Sequence, residues 1–247
     1  MIIIGNNIYI NCSNAFNIKV VDLTTLAVTT FAYTSNFATF IPMFSDGVSI
    51  YYANSTGNIV GKLTGTTLVS SSGVNANYYP YTIAVGDYVY MNNSNLIFKF
   101  NKSDMTWVAT LAAGSSNNPN TLIANQDGSY IYCLGADGRI QKISTSSFTI
   151  TATFSSGISD LKFASAILYN SKIYIMSGDG RGSDIGRTFA VLNTSNDVVT
   201  LYAPPTNGLN FNTHNALNID TVNNRLIFFG VNLSGVNYYN VEIINIP

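Results

Sequence analysis

Few side chains in this 247-residue chain can do chemistry, and they gather in a few stretches. GDGRGSDIGR (178–187) carries Asp179, Arg181, Asp184 and Arg187, and APPTNGLNFNTHN (203–215) carries Asn212 and His214, the single histidine. VSSSGVNANYYPY (69–81) adds Tyr78 and Tyr79, and tyrosine beside asparagine suits contact with sugar or protein, since each ring offers apolar area with a polar tip. Glycoside cleavage calls for two carboxylates, or a tyrosine with an acid, around one pocket. The only glutamate, Glu242, falls in a strand-like segment, and a Ser-His-Asp set would have to recruit His214. Asp179, Ser183 and Asp184 lack the D-x-D-x-D-G ladder of calcium loops. These residues read as a partner-binding surface, with no catalytic set, metal or cofactor expected. The plainer reading of 178–187 is a polar turn held by Asp and Arg hydrogen bonds.

The elements that must position these stretches follow from composition and repeats. Hydrophobic residues make up 47% of the chain, enough for a sizeable core, while charged residues are only 9%, far below the roughly 25% of an average soluble domain. The surface must then be polar but uncharged, and Asn, Ser and Thr fill that role in NNSN (92–95) and SSNNPN (115–120). A net charge of −1 supplies no basic stripe, so nucleic acid is not an expected partner. No apolar run approaches the ~18 to 20 residues that span a bilayer, and the start MIIIGNNIYI has no signal-peptide pattern, which predicts synthesis in the cytoplasm without a signal peptide and no membrane insertion. Cys12 and Cys133 fall in equivalent strands of separate repeats and read as small core residues.

Aligned apolar cores recur around Tyr9, Tyr51, Tyr90, Tyr132, Tyr174 and Phe228, at separations of 42, 39, 42, 42 and 54 residues. Repeats of about 40 to 45 residues with several short strands each, and no 3.6-residue periodicity, point to propeller blades. The expectation is an all-β chain folded as one domain: a six-bladed β-propeller of mostly four-stranded antiparallel blades, with boundaries near 1–35, 36–73, 74–114, 115–156, 157–205 and 206–247. In blade four the strands are TLIAN (121–125), SYIYCL (129–134), RIQKIS (139–144) and FTITATF (148–154), separated by turns rich in Gly, Asp and Ser. The second strand is apolar throughout, as for a sheet covered on both faces. Lys62, Lys99 and Lys142 share one register in third strands and read as solvated stems guarding an outer strand. Trp107 opens an outer strand and is expected to pack between blades.

PNTLIANQDGSYIYCLGADGRIQKISTSSFTITATF (119–154) and NNIYINCSNAFNIKVVDLTTLAVTTF (6–31) resemble the YVTN-type β-propeller repeat: an inner strand led by proline, a D-G turn, a Y-V core, a valine-rich third strand and a T-x-x-V-x-A-T outer strand. The resemblance extends over six units, more weakly in the second, fifth and sixth. It implies the propeller fold and a surface-exposed binding protein. Members commonly have seven blades, so six is a departure. GSDIGRTF (182–189) also partly resembles the Asp-box of sialidase-like propellers, with Gly182 where Ser is expected and a place between strands two and three rather than three and four.

Strands that alternate in direction send the long loops 178–187, 203–215 and 69–81 to one rim, where a ligand or partner would meet them. The chain starts on a first strand, MIIIG (1–5), and ends on a third, YNVEIINIP (239–247), so the last blade should be three-stranded, either protected by Pro247 or completed by a partner that adds a strand along Tyr239, Val241 and Ile243. Two functions remain. One is a non-enzymatic structural or adhesive, receptor-binding subunit of a larger assembly, most plausibly a virus or phage particle, whose partners are other subunits or a surface glycan and whose place is the virion or another extracellular-facing assembly. The alternative is a free glycan-binding or sialidase-like carbohydrate-processing propeller.

Overall fold

A computed structural model describes residues 2–12, 17–32, 43–54, 59–65, 67–72, 81–93, 95–113, 121–158, 161, 164–176, 189–202, 217–231 and 239–246. All regular structure in them is β, in six antiparallel sheets whose strands are ordered as they occur in the chain. Blade one holds β1 (Ile2–Ile4), β2 (Asn7–Cys12), β3 (Asn17–Asp22) and β4 (Val28–Ala32). Blade two holds β5 (Met43–Ser45), β6 (Ile50–Asn54), β7 (Ile59–Thr64) and β8 (Thr67–Ser72). Blade three holds β9 (Thr82–Val85), β10 (Tyr88–Asn93), β11 (Leu96–Asn101) and β12 (Trp107–Ala112). Blade four holds β13 (Thr121–Ala124), β14 (Tyr130–Leu134), β15 (Arg139–Ser144) and β16 (Thr149–Ser155). Blade five holds β17 (Ser165–Tyr169), β18 (Lys172–Met176), β19 (Phe189–Asn193) and β20 (Val198–Tyr202). Blade six has three strands, β21 (Leu217–Asp220), β22 (Arg225–Val231) and β23 (Tyr239–Asn245), as the strand count along the sequence predicts. The chain divides into two compact units, Met1–Ala112 with blades one to three and Ala113–Pro247 with blades four to six.

Blade four shows why the sequence makes this unit. Ile131, Tyr132, Cys133 and Leu134 are all fully buried, since a second strand is covered on both faces and needs no alternation. The outer strand TITATFS instead alternates exposed Thr or Ser with half-buried Ile150, Ala152 and Phe154, the period-2 signature of a strand with one wet face. Successive blades within a unit then interlock. Tyr132, Leu134 and Ile140 pack on Ile173, Ile175 and Leu192 of blade five, and Tyr174, Phe189 and Val191 pack on Leu217 and Leu226 of blade six. In the first unit Tyr51 and Val60 meet Val89, Met91 and Phe100, and Tyr9 and Ile18 meet Ile50 and Leu63. Each such buried side chain is worth about 1.5 to 3 kcal/mol, so these layers dominate the stability. Gly61 is obligatory in this packing, because the ring of its cross-strand partner Tyr52 lies where a Cβ would be.

The inner strands carry a second seam. Thr121 Oγ1, on the first residue of β13, donates to the Ala164 carbonyl at 2.7 Å, and the Leu217 amide donates to Ser165 Oγ on the first residue of β17 at 3.3 Å. In blades one, three, four and five the turns between strands three and four share one conformation. The amides of Leu26, Met105, Phe148 and Asp197 bond back to the carbonyls of Asp22, Asn101, Ser144 and Asn193, four residues earlier, and each donor residue has φ between 51° and 59°.

Pairing geometry corrects four expectations. Arg225 pairs with Asn245 as Lys172 does with Asn193, so Ile227, opposite Ile243, and not Phe228, stands where the other blades have tyrosine. Trp107 is 59% exposed, its indole Nε1–H donating to Thr110 Oγ1 at 3.2 Å, rather than packed between blades. Asn92 and Asn93 of the NNSN stretch are 1% and 6% exposed, because β10 continues through both, so they are not part of the polar surface. The lysines that share a register are not solvated stems. Lys142 Nζ binds both carboxylate oxygens of Asp197 at 2.9 and 2.8 Å, Lys62 Nζ donates to the Lys102 carbonyl at 3.0 Å, and Lys99 is buried with its ammonium 3.8 Å from the Tyr88 ring centroid.

Candidate functional site

Two ends of each blade differ. The end bearing the turns between strands one and two and between strands three and four is short and tied down. Asp46, in the first turn of blade two, accepts the Val48 and Ser49 amides, the Tyr51 hydroxyl at 2.9 Å and the Lys102 ammonium of blade three at 2.6 Å. Burial alone would raise this carboxyl, but the hydrogen bonds from Lys102, the two amides and Tyr51 outweigh it and hold Asp46 far below the usual carboxylate range. Blades four and five repeat the device. Tyr132 donates to Asp197 Oδ1 at 3.4 Å beside the Lys142 ion pair, and burial, reinforced by that carboxylate, pushes the phenol well above its ordinary range. Tyr90 is pushed up to about 12, by burial first and by Tyr88 second, and burial lowers Lys99. A tyrosine from strand two, an acid in a turn and a lysine, Lys102 in a turn of blade three or Lys142 in β15, thus form the polar seam between these blades.

At the other end strand two of each blade ends and strand three begins. The candidate residues Asp179, Arg181, Asp184, Arg187, Asn212 and His214 all lie outside the described residues, as do Tyr78 and Tyr79. What the structure does place is the feet of their loops. Phe189 pairs with Met176 on one side and Tyr202 on the other, so 177–188 and 203–216 leave from the same end of blade five. Leu217, at the far foot, is tied to Ser165, which itself pairs with Met176. Phe189 sits 6.0 Å from Tyr174 and 5.4 Å from Tyr202, ring centroid to centroid, and Met176, Phe189 and Leu217 share one buried cluster. The described residues that flank the two charge-bearing stretches therefore meet in one apolar cluster.

The loop 73–80 leaves from the corresponding end of blade three. In blade three Thr82, Asn92 and Asn93 are buried, the Asn92 amide donates to the Tyr81 carbonyl at 2.9 Å, and the Thr82 hydroxyl and Asn93 Oδ1 make no hydrogen bond among the described residues. A buried polar group without a partner costs about 1 to 3 kcal/mol. The sequence hid this cluster because Asn and Thr are everywhere on its surface. Only the register that makes Asn92 and Asn93 the end of a two-face-covered strand sets them apart. Along β23, Val241 and Ile243 are exposed, and among the described residues β23 is the edge of its sheet. Among the described residues no three His, Cys, Asp or Glu side chains stand together as a metal site, and no helix is long and apolar enough to cross a membrane.

No family model matches the sequence, and no characterised protein matches it at the sequence level. Solved structures match it in shape. A chain from the crystal structure of a mitotic checkpoint complex has a TM-score of 0.72 at 13% identity, over 94% of this chain and 68% of that one. Virginiamycin B lyase from Staphylococcus aureus scores 0.71 at 14% identity over 99% and 83%, and a streptogramin B lyase scores 0.70 at 12% over 98% and 80%. At such identities the likeness shows the fold alone. The fold is a six-bladed β-propeller.

Proposed function

We propose that the chain is a non-enzymatic structural or adhesive subunit of a larger assembly, most plausibly a virus or phage particle facing the outside of a cell, and that it binds protein or surface glycan through its long-loop end. The observation that carries this is the cluster of Met176, Phe189, Tyr202 and Leu217, in which the residues flanking two stretches rich in Arg, Asp and Asn meet. At the opposite end Lys, Tyr and Asp contacts join blade two to blade three and blade four to blade five. A propeller hosts many activities, so the loops and not the fold set the role. Kinship with the YVTN-type repeat proteins is part of this reading and rests on the repeat pattern, as does the exposed, glycan- or protein-facing setting. A surface with so few charges repels its neighbours weakly, which suits tight packing in an assembly.

The test is fractionation of particles from the source of the chain, followed by chemical cross-linking and mass spectrometry. Co-sedimentation with a particle, with cross-links from 178–187 or 203–215 to a partner, is the expected result. A free monomer that retains glycans and loses them on His214→Ala or Arg187→Ala would replace this reading with the carbohydrate-processing one.

A further inference from the structure

We infer that Trp107, on the outer strand of blade three, is a stacking platform for one pyranose ring of a neutral glycan. Trp107 opens β12 opposite the fully buried Phe100. The same register position of the other four-stranded blades holds Val28, Leu68, Ile150 and Val199, all aliphatic. It lies at the rim of the buried layer, with Ile150 and Val199 half-buried and Val28 exposed. Blade three puts the chain's single tryptophan there and leaves 59% of it in solvent, although nothing in the register demands a ring of that size.

Three features give the exposed ring its character. The indole is pinned, because its Nε1–H donates to Thr110 Oγ1 at 3.2 Å, so the ring is held in place before a ligand arrives and its π-face is what remains to offer. Thr110 Oγ1 is the acceptor in that bond and is itself exposed, which keeps its own proton as a donor for a sugar hydroxyl. A register shift between Lys99 and Phe100 leaves Val108 without a partner across the ladder and 40% exposed next to the indole, the way a bulge re-aims a side chain. The strand WVATLA carries no charge, and the nearest charged side chains in the turn before it are engaged, Lys102 with Asp46 and Asp104 with the Thr106 amide and hydroxyl. A neutral ligand fits that setting. One ring and one valine also fall far short of the roughly 800 Å² that a stable protein interface takes from each partner, whereas they match a single sugar ring. The inference does not rest on what the long-loop end binds.

With one tryptophan in the chain, intrinsic indole fluorescence reads this site directly. The probe is methyl β-galactopyranoside, titrated into the whole protein. The expected result is a saturable blue shift with a loss of acrylamide quenching, half complete at about 1 to 10 mM, the range open to a ligand of this size. Thr110→Val removes the acceptor that pins the ring and should raise the half-saturation point about threefold. Trp107→Val, which installs the residue found in blades one and five, should abolish saturation-transfer NMR signals from the sugar at an unchanged melting temperature. No saturable shift, equal sugar signals in Trp107→Val, or a blue shift that grows with protein concentration in the absence of sugar, the mark of a second copy on this face, would each overturn the inference.

Discussion

In blade four Ile140 is fully buried and Lys142 closes over Asp197, whereas at the same two register positions of blade six Val241 and Ile243 are more than half exposed. Both blades have the same inner three strands, the same pairing and the same entry into the turn after strand three. The difference is in what lies beyond. Blade four has an outer strand on its flank and blade five against its face, and those neighbours bury the seam. A repeat of this kind is stable through its neighbours rather than by itself.

The largest effect should come from truncating the buried member of that comparison. Ile140→Ala should lower the unfolding free energy by about 2 to 4 kcal/mol, while Val241→Ala should change it by less than about 0.5 kcal/mol. Urea unfolding of the two variants measures both, and equal losses would erase the distinction between the blades. Next comes the polar seam. Lys142→Met leaves the Asp197 carboxylate without its cation and should cost roughly 1 to 2 kcal/mol, discounted from the fully buried case because the pair is partly wet. Ile243→Lys, which puts the same residue type at an exposed position of blade six, should be nearly neutral.

Acid sensitivity carries the comparison into the first unit. The folded-state pKa of Asp46 is depressed, so its contribution is fully present above its ordinary value near 4 and is lost as pH falls through that value toward the folded one. Wild type should therefore lose about 1 to 2 kcal/mol on acidification below pH ~4 through this group, and Asp46→Asn should remove that part of the slope in pH-dependent denaturation. The smallest effect concerns the turns after strand three. Leu26 is exposed at φ 59°, a conformation that costs a side chain with a Cβ about 1 kcal/mol, so Leu26→Gly should raise the melting temperature slightly. A fall would mean that the leucine makes a contact worth more than the strain.

Blade number, strand order and the three-stranded last blade were legible because a second strand covered on both faces is apolar throughout, and four turns per repeat punctuate it with Gly, Asp and Ser. Ile227 was not legible as the tyrosine equivalent. Ile227 and Phe228 are both apolar, and only hydrogen-bond pairing distinguishes one register from the next. Nor were the lysine roles, since the partner of Lys142 lies 55 residues along the chain and that of Lys62 lies 40. Asn92 and Asn93 hid among surface residues of their own kind.

The sequence by itself determined the repeating unit, because period, turn chemistry and alternation are local properties of the chain. The positions of the loop feet, the fate of the lysines and the exposure of Val241 and Ile243 were decided only in the tertiary structure. Each of these depends on which blade lies alongside, and a residue cannot carry in its own neighbourhood the identity of a surface that arrives from forty residues away.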